Sequence, residues 1–103
     1  VRDLYWLPPP RRVWSAMIVD LDTRLLRAPL IVTLEDFGSE FVATWHEVET
    51  FGSGATEAEA LDALKDAIVA LADDLADVSD DELGRLPRRW KRALAAVLVS
   101  EHE

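Results

Sequence analysis

Asp20-x-Asp22 and Glu35-Asp36 are paired carboxylates, the raw material of a two-metal nuclease centre. Such a centre holds its ions only about 4 Å apart. The two pairs lie in separate turns, and nothing in their spacing makes them converge. A degenerate nuclease built on them is therefore the weakest reading of the chain, to be tested by Mg2+- or Mn2+-dependent RNA cleavage. His46 stands beside Glu47 and Glu49, but a metal site needs several ligands in compatible geometry. The second histidine is His102, at the far end of the chain. A structural or surface role for His46 is expected. Gly52-x-Gly54 precedes a helix start, where backbone amides can hold an anion. It lacks the third glycine and the lysine of nucleotide-binding loops, and Glu57 and Glu59 already complement the helix dipole there. It reads as a structural turn. Arg88-Arg89-Trp90-Lys91-Arg92 is the one dense basic run, with an aromatic inside it as in nucleic-acid-binding segments. Trp90 falls on an apolar stripe, which would bury it. Arg88, Arg89, Lys91 and Arg92 then form a possible basic contact patch that reads first as a solvated face or as partners for acidic residues, and nucleic acid is not the expected ligand. No catalytic residue, cofactor or metal ligand is expected.

Charge is distributed unevenly. The formal net charge is -9. Residues 1–34 carry +2, residues 35–82 carry -14 and residues 83–103 carry +3. The acidic middle would repel a phosphate backbone and attract a basic partner. The chain has 103 residues and no cysteine, so it suits one domain without disulfides or thiolate metal sites, and a reducing, cytoplasmic setting is expected. No apolar run approaches the roughly 20 residues that span a bilayer. Pro8-Pro9-Pro10-Arg11-Arg12 interrupts the N-terminal region where a signal peptide would be apolar.

The elements follow from periodicity. Residues 1–12 read as irregular, with Leu4, Tyr5 and Trp6 packed on the domain or on another subunit. Val13 to Val19 reads as a strand and Asp20-Leu21-Asp22-Thr23 as a turn. Leu30 to Glu35 and Phe41 to Trp45 read as paired strands around Asp36-Phe37-Gly38-Ser39. Leu30, Val32 and Leu34 share one face, as do Phe41, Ala43 and Trp45. Val48 to Phe51 reads as a third short strand. Thr56 and Glu59 form a capping box, with the Thr56 hydroxyl on the Glu59 amide and Glu59 reaching back to the Thr56 amide. From about Glu57 to Asp77, Leu61, Leu64, Ile68, Leu71, Leu75 and Val78 make one helical stripe. Asp62, Asp66, Asp73 and Asp77 lie off it. Ser79-Asp80-Asp81-Glu82 repeats the capping pattern before a short helix. Leu83, Leu86, Trp90, Leu94 and Val97 continue a helical spacing, with a last helix from about Pro87 to Ser100. Residues 95–99 also read as an edge strand.

The stretch from about Pro29 to Leu75 resembles the HicB-type antitoxins, small partial-RNase-H-like domains. The matching residues are Leu30 to Leu34, Phe41 to Trp45, Gly52, Gly54, Thr56 and Glu59-Ala60-Leu61. The resemblance implies a three- or four-stranded antiparallel sheet with a helix across one face, and a non-catalytic role. Many such antitoxins cover the active surface of a small basic RNA-cleaving toxin. The DNA-binding domain that often ends them has no match after Val78.

The expectation is a single α+β domain. It has an antiparallel sheet of three to four strands, one long helix packed on it and a C-terminal helical extension. Residues 1–28 would be an N-terminal extension, 29–78 the core and 79–103 the C-terminal helices. The expected function is a toxin-neutralising, antitoxin-like module that binds a small basic protein through Asp62, Asp66, Asp73 and Asp77 and through edge-strand backbone. The alternative is a self-associating structural protein. An open sheet edge and a seam of alanines and leucines favour a homodimer.

Overall fold

The structure is a computed structural model that describes residues 9–22 and 24–99. Four strands form an antiparallel sheet in the order β1 (Arg12–Ile18), β2 (Leu30–Asp36), β3 (Phe41–Trp45), β4 (Thr50–Gly54). A 3-10 turn at His46–Val48 joins β3 to β4. Helix α1 (Glu57–Ala76) follows, then a 3-10 turn at Asp80–Glu82 and helix α2 (Arg85–Val97). The protein is α+β. The expected packing of Leu4, Tyr5 and Trp6, the role of Thr23 and the position of His102 lie outside the described residues, whereas the last helix, expected to reach Ser100, ends at Val97 because Leu98 turns to extended backbone.

Alternation decides which sheet face is covered. Leu30, Val32 and Leu34 on β2 and Ala43 and Trp45 on β3 are buried, with Phe41 partly buried beside them. Ile31 and Phe51 point the other way and are exposed. Helix α1 packs on the buried face, chiefly over β3 and β4. Its buried positions are Ala60, Leu64, Ile68, Ala72 and Leu75. Leu61 and Leu71, expected on that stripe, are only partly buried and flank it. The helix is turned so that small Ala60 meets β4 beside Gly54, while Ala72 lies nearer α2, in a cleft with Leu94.

The two glycines explain this approach, and they correct the sequence reading. Gly52 and Gly54 are residues of β4, not of a turn. Positive φ occurs at Gly38 and at neither of them. A Cβ on Gly52 would stand 2.2 Å from Leu64 N and 2.5 Å from Ala63 C. A Cβ on Gly54 would stand 2.4 Å from Glu59 Cβ and 2.9 Å from Ala60 N. The glycines let strand and helix backbones touch, the close-approach use of this residue.

The capping box forms with one difference. Thr56 Oγ1 accepts from Glu59 N–H at 3.1 Å, while Glu59 Oε1 accepts from Ala55 N–H at 2.9 Å rather than from Thr56. Thr56→Ala should cost about 1 kcal/mol, the usual value of an N-cap hydroxyl. Urea denaturation would measure it, and an unchanged midpoint would contradict the assignment.

At the β2–β3 turn, Asp36 Oδ1 accepts from Gly38 N–H at 2.8 Å, and Asp36 Oδ2 pairs with Arg12 at 3.3 Å. The Gly38 amide holds this carboxyl below its ordinary value of 3.8; burial opposes the lowering, and Arg12 and Arg11 add to it. A carboxylate depressed in the folded state stabilises it above its unfolded pKa, and that contribution is lost as pH falls through the folded value. Native protein should therefore lose stability on acidification below about pH 4. Asp36→Asn should show a shallower loss there, measured as urea midpoint against pH.

The C-terminal region is more tightly joined to the domain than a peripheral extension. Leu94 and Leu98 belong to the core, as do Ile18 and Leu21, so the core reaches beyond residues 29–78 on both sides. Ser79 makes no side-chain cap, and residues 80–82 form a 3-10 turn rather than a helix. Residues 95–99 divide between the two readings. The helix runs to Val97, and Leu98 then forms one antiparallel bridge with Leu26. Arg27 N–H to Val97 C=O and Val99 N–H to Leu25 C=O flank it. Leu86, expected on the apolar stripe, is 45 % exposed, and Trp90 is half-buried.

Candidate protein-interaction surface

The buried stripe of α1 dictates what its opposite face can be. With 3.6 residues per turn, Asp62, Asp66, Ala70, Asp73 and Asp77 fall on one line. All five are exposed. The line runs about 22 Å, from a rise of 1.5 Å per residue. Glu59 and Asp74 are exposed beside it. The four aspartates singled out from the sequence thus share one continuous surface.

Their electrostatic settings differ. Asp73 Oδ1 accepts from Arg24 Nη1 at 3.5 Å. Lys65, partly buried on α1, pairs with Asp22 at 3.8 Å rather than with its helical neighbours. Among the described residues no ion pair involves Asp62, Asp66 or Asp77. The C-terminal end of the line works against its own helix. Asp73, Asp74 and Asp77 crowd the negative end of the α1 dipole, and the last turn holds no basic residue. Each carboxylate there opposes helix stability by about 0.3–1 kcal/mol. Other elements offset part of this. Lys91 Nζ donates to Val78 C=O at 2.7 Å and pairs with Asp80 at 3.2 Å. Arg24, Arg27 and Lys91 line a cleft of about 300 Å3 floored by Ala72, Leu75 and Leu94.

The basic run on α2 is broken up by the helix. Arg88 Nη2 donates to Leu83 C=O at 2.9 Å, and Arg88 Nε is buried without a hydrogen-bond partner. Lys91 is the strut just described. Arg89 and Arg92 are exposed, and Arg89 lines a shallow depression with His46, Glu47, Glu49 and Trp90. Two of the four cations therefore fasten chain segments to α2, and no four-residue basic face is presented.

The other candidates separate in space. Asp20 and Asp22 follow the end of β1, whereas Asp36 lies beside its start, opposite Arg12. At about 3.3 Å per residue the pairs are roughly 20 Å apart, too far for one metal cluster. His46 Nε2 stands 3.2 Å from Thr33 Oγ1. Among the described residues no group of three or more histidines and carboxylates is placed to hold a metal ion. No described helix is long and apolar enough to cross a membrane.

Sequence reasoning missed the outer sheet face. Val13, Met17, Ile31 and Phe51 are each about 60 % exposed there. Their alternation with the buried set was visible in β2, but which strands stand beside each other was not. No protein-family model matches the chain, and neither a curated protein nor a solved structure does.

Proposed function

We propose that the chain is a non-catalytic, HicB-like antitoxin module that covers the working surface of a small basic RNA-cleaving protein. The supporting observation is the line Asp62, Asp66, Asp73 and Asp77 on the outer face of α1. A carboxylate row that continues into the negative end of its own helix destabilises the isolated protein. A basic partner would relieve that repulsion on binding and would be steered by it on approach. The antiparallel sheet followed by a Thr56/Glu59-capped helix is the arrangement that the resemblance to these antitoxins implies.

A pull-down from the source cell extract at low and high salt, with mass spectrometry, tests the reading. A small basic protein should be retained stoichiometrically at low salt and weakened at high salt, because exposed charges are screened within about 10 Å at 0.1 M. That protein should cleave RNA alone and not in the complex. Retained proteins whose RNA cleavage is indifferent to the chain would remove the antitoxin reading.

A further inference from the structure

We propose that two copies of this chain pair antiparallel along β1, about a two-fold axis at Ser15, to make one continuous eight-stranded sheet. The proposal concerns a different surface from the α1 line and does not depend on the basic partner.

Strand β1 is an edge. Among the described residues it pairs with β2 alone. Natural sheet edges are guarded by proline, inward charges, bulges or short length. β1 has seven residues, and between Val13 and Ile18 it holds neither a charge nor a proline. The opposite edge, β4, has five residues, two of them glycine.

The direction of the edge groups follows from the ladder. Phe37 N–H donates to Glu40 C=O at 2.9 Å, so these residues are the hydrogen-bonded pair that closes the β2–β3 turn. Bonded and non-bonded pairs alternate along an antiparallel ladder. Leu34 and Val32 therefore direct their backbone groups toward β1, onto Trp14 and Ala16. The N–H and C=O groups of Val13, Ser15 and Met17 are left facing outward. A register centred on Ser15 uses all of them at once. Ser15 faces the second copy's Ser15, and Val13 faces the second copy's Met17, giving about six hydrogen bonds.

Side chains agree with that register on both faces. On the outer face, Met17, already beside Ile31 in its own sheet, gains the second copy's Val13, so three exposed apolar side chains become neighbours. On the helix face, the large ring of Trp14 stands opposite the second copy's small Ala16. At the ends, the register sets Arg12 opposite the second copy's Ile18 and one diagonal step from its Asp20, opposite charges within reach. Helix α1 packs over β3 and β4, away from this edge, so the two acidic faces lie on opposite flanks of the joint sheet.

Sedimentation equilibrium of the full chain across the micromolar range tests this. The native chain should reach a mass of twice 11.5 kDa. Ser15→Pro removes only an outward N–H, a substitution that edge strands tolerate. It should weaken association by about 10- to 100-fold, because both central hydrogen bonds are lost. Met17→Lys, at a position 60 % exposed in the single chain, should do the same by placing a charge in the seam. Native amide exchange should be slow at Val13, Ser15 and Met17, and fast there in Met17→Lys. A monomer mass throughout, or a dimer indifferent to both substitutions, would overturn the proposal.

Discussion

Gly52→Ala should destabilise the domain by more than about 3 kcal/mol, beyond the usual range for overpacking. The added carbon would meet Leu64 N at 2.2 Å and Ala63 C at 2.5 Å, and both are backbone atoms of α1. No rotamer change can clear them. Either the helix lifts from β4, or β4 leaves β3. Lifting the helix exposes Ala60, Leu64 and Ile68, which are fully buried in the native packing. Gly38→Ala is the control. That glycine has φ of 95°, so alanine is strained there, yet the nearest atoms belong to the exposed, flexible end of Arg11. Its cost should be about 1–2 kcal/mol. Urea unfolding of both variants by circular dichroism would measure the difference. Equal costs would mean that Gly52 serves backbone conformation and not helix approach.

That contrast marks how far the fold is legible in the chain. The α1 helix was legible because Thr56, Glu59 and the 3-4 apolar spacing all act within one turn or one face. The face assignments of β2 and β3 were legible because period-2 alternation needs no knowledge of partners. The role of Gly52 and Gly54 was not. A glycine that makes a turn and a glycine that admits a helix look alike until the third dimension puts Leu64 above one of them. The core contributions of Ile18, Leu21 and Leu98 were hidden for the same reason, since they meet only when β1 and the end of α2 close on the sheet, whereas Leu94 was legible from its helical spacing. The acidic stripe was partly legible. Helical spacing aligned Asp62, Asp66, Asp73 and Asp77, but the diversion of Lys65 to Asp22 and of Arg24 to Asp73 depends on tertiary placement. The basic run was the least legible, because two of its cations spend their donors on carbonyls of Leu83 and Val78.

Reversing Asp62, Asp66 and Asp77 to lysine should abolish partner binding while leaving the domain folded. Asp73 is left alone in this variant because it pairs with Arg24. Like charges brought together across an interface cost several kcal/mol, so affinity for the basic protein retained by the native chain should fall by at least about 100-fold. The loss should appear first in the association rate, and added salt should now help rather than hinder the residual binding. Stability should move the other way. Asp77→Lys alone replaces an anion at the α1 C-terminus by a cation and should raise stability by about 0.3–1 kcal/mol. A rise in unfolding midpoint together with a loss of binding is a pattern that misfolding cannot produce. It is also the pattern expected of residues kept for recognition at a cost to the fold. Unchanged affinity in the triple variant would free the α1 face from any role in recognition and leave its carboxylates as solvated surface.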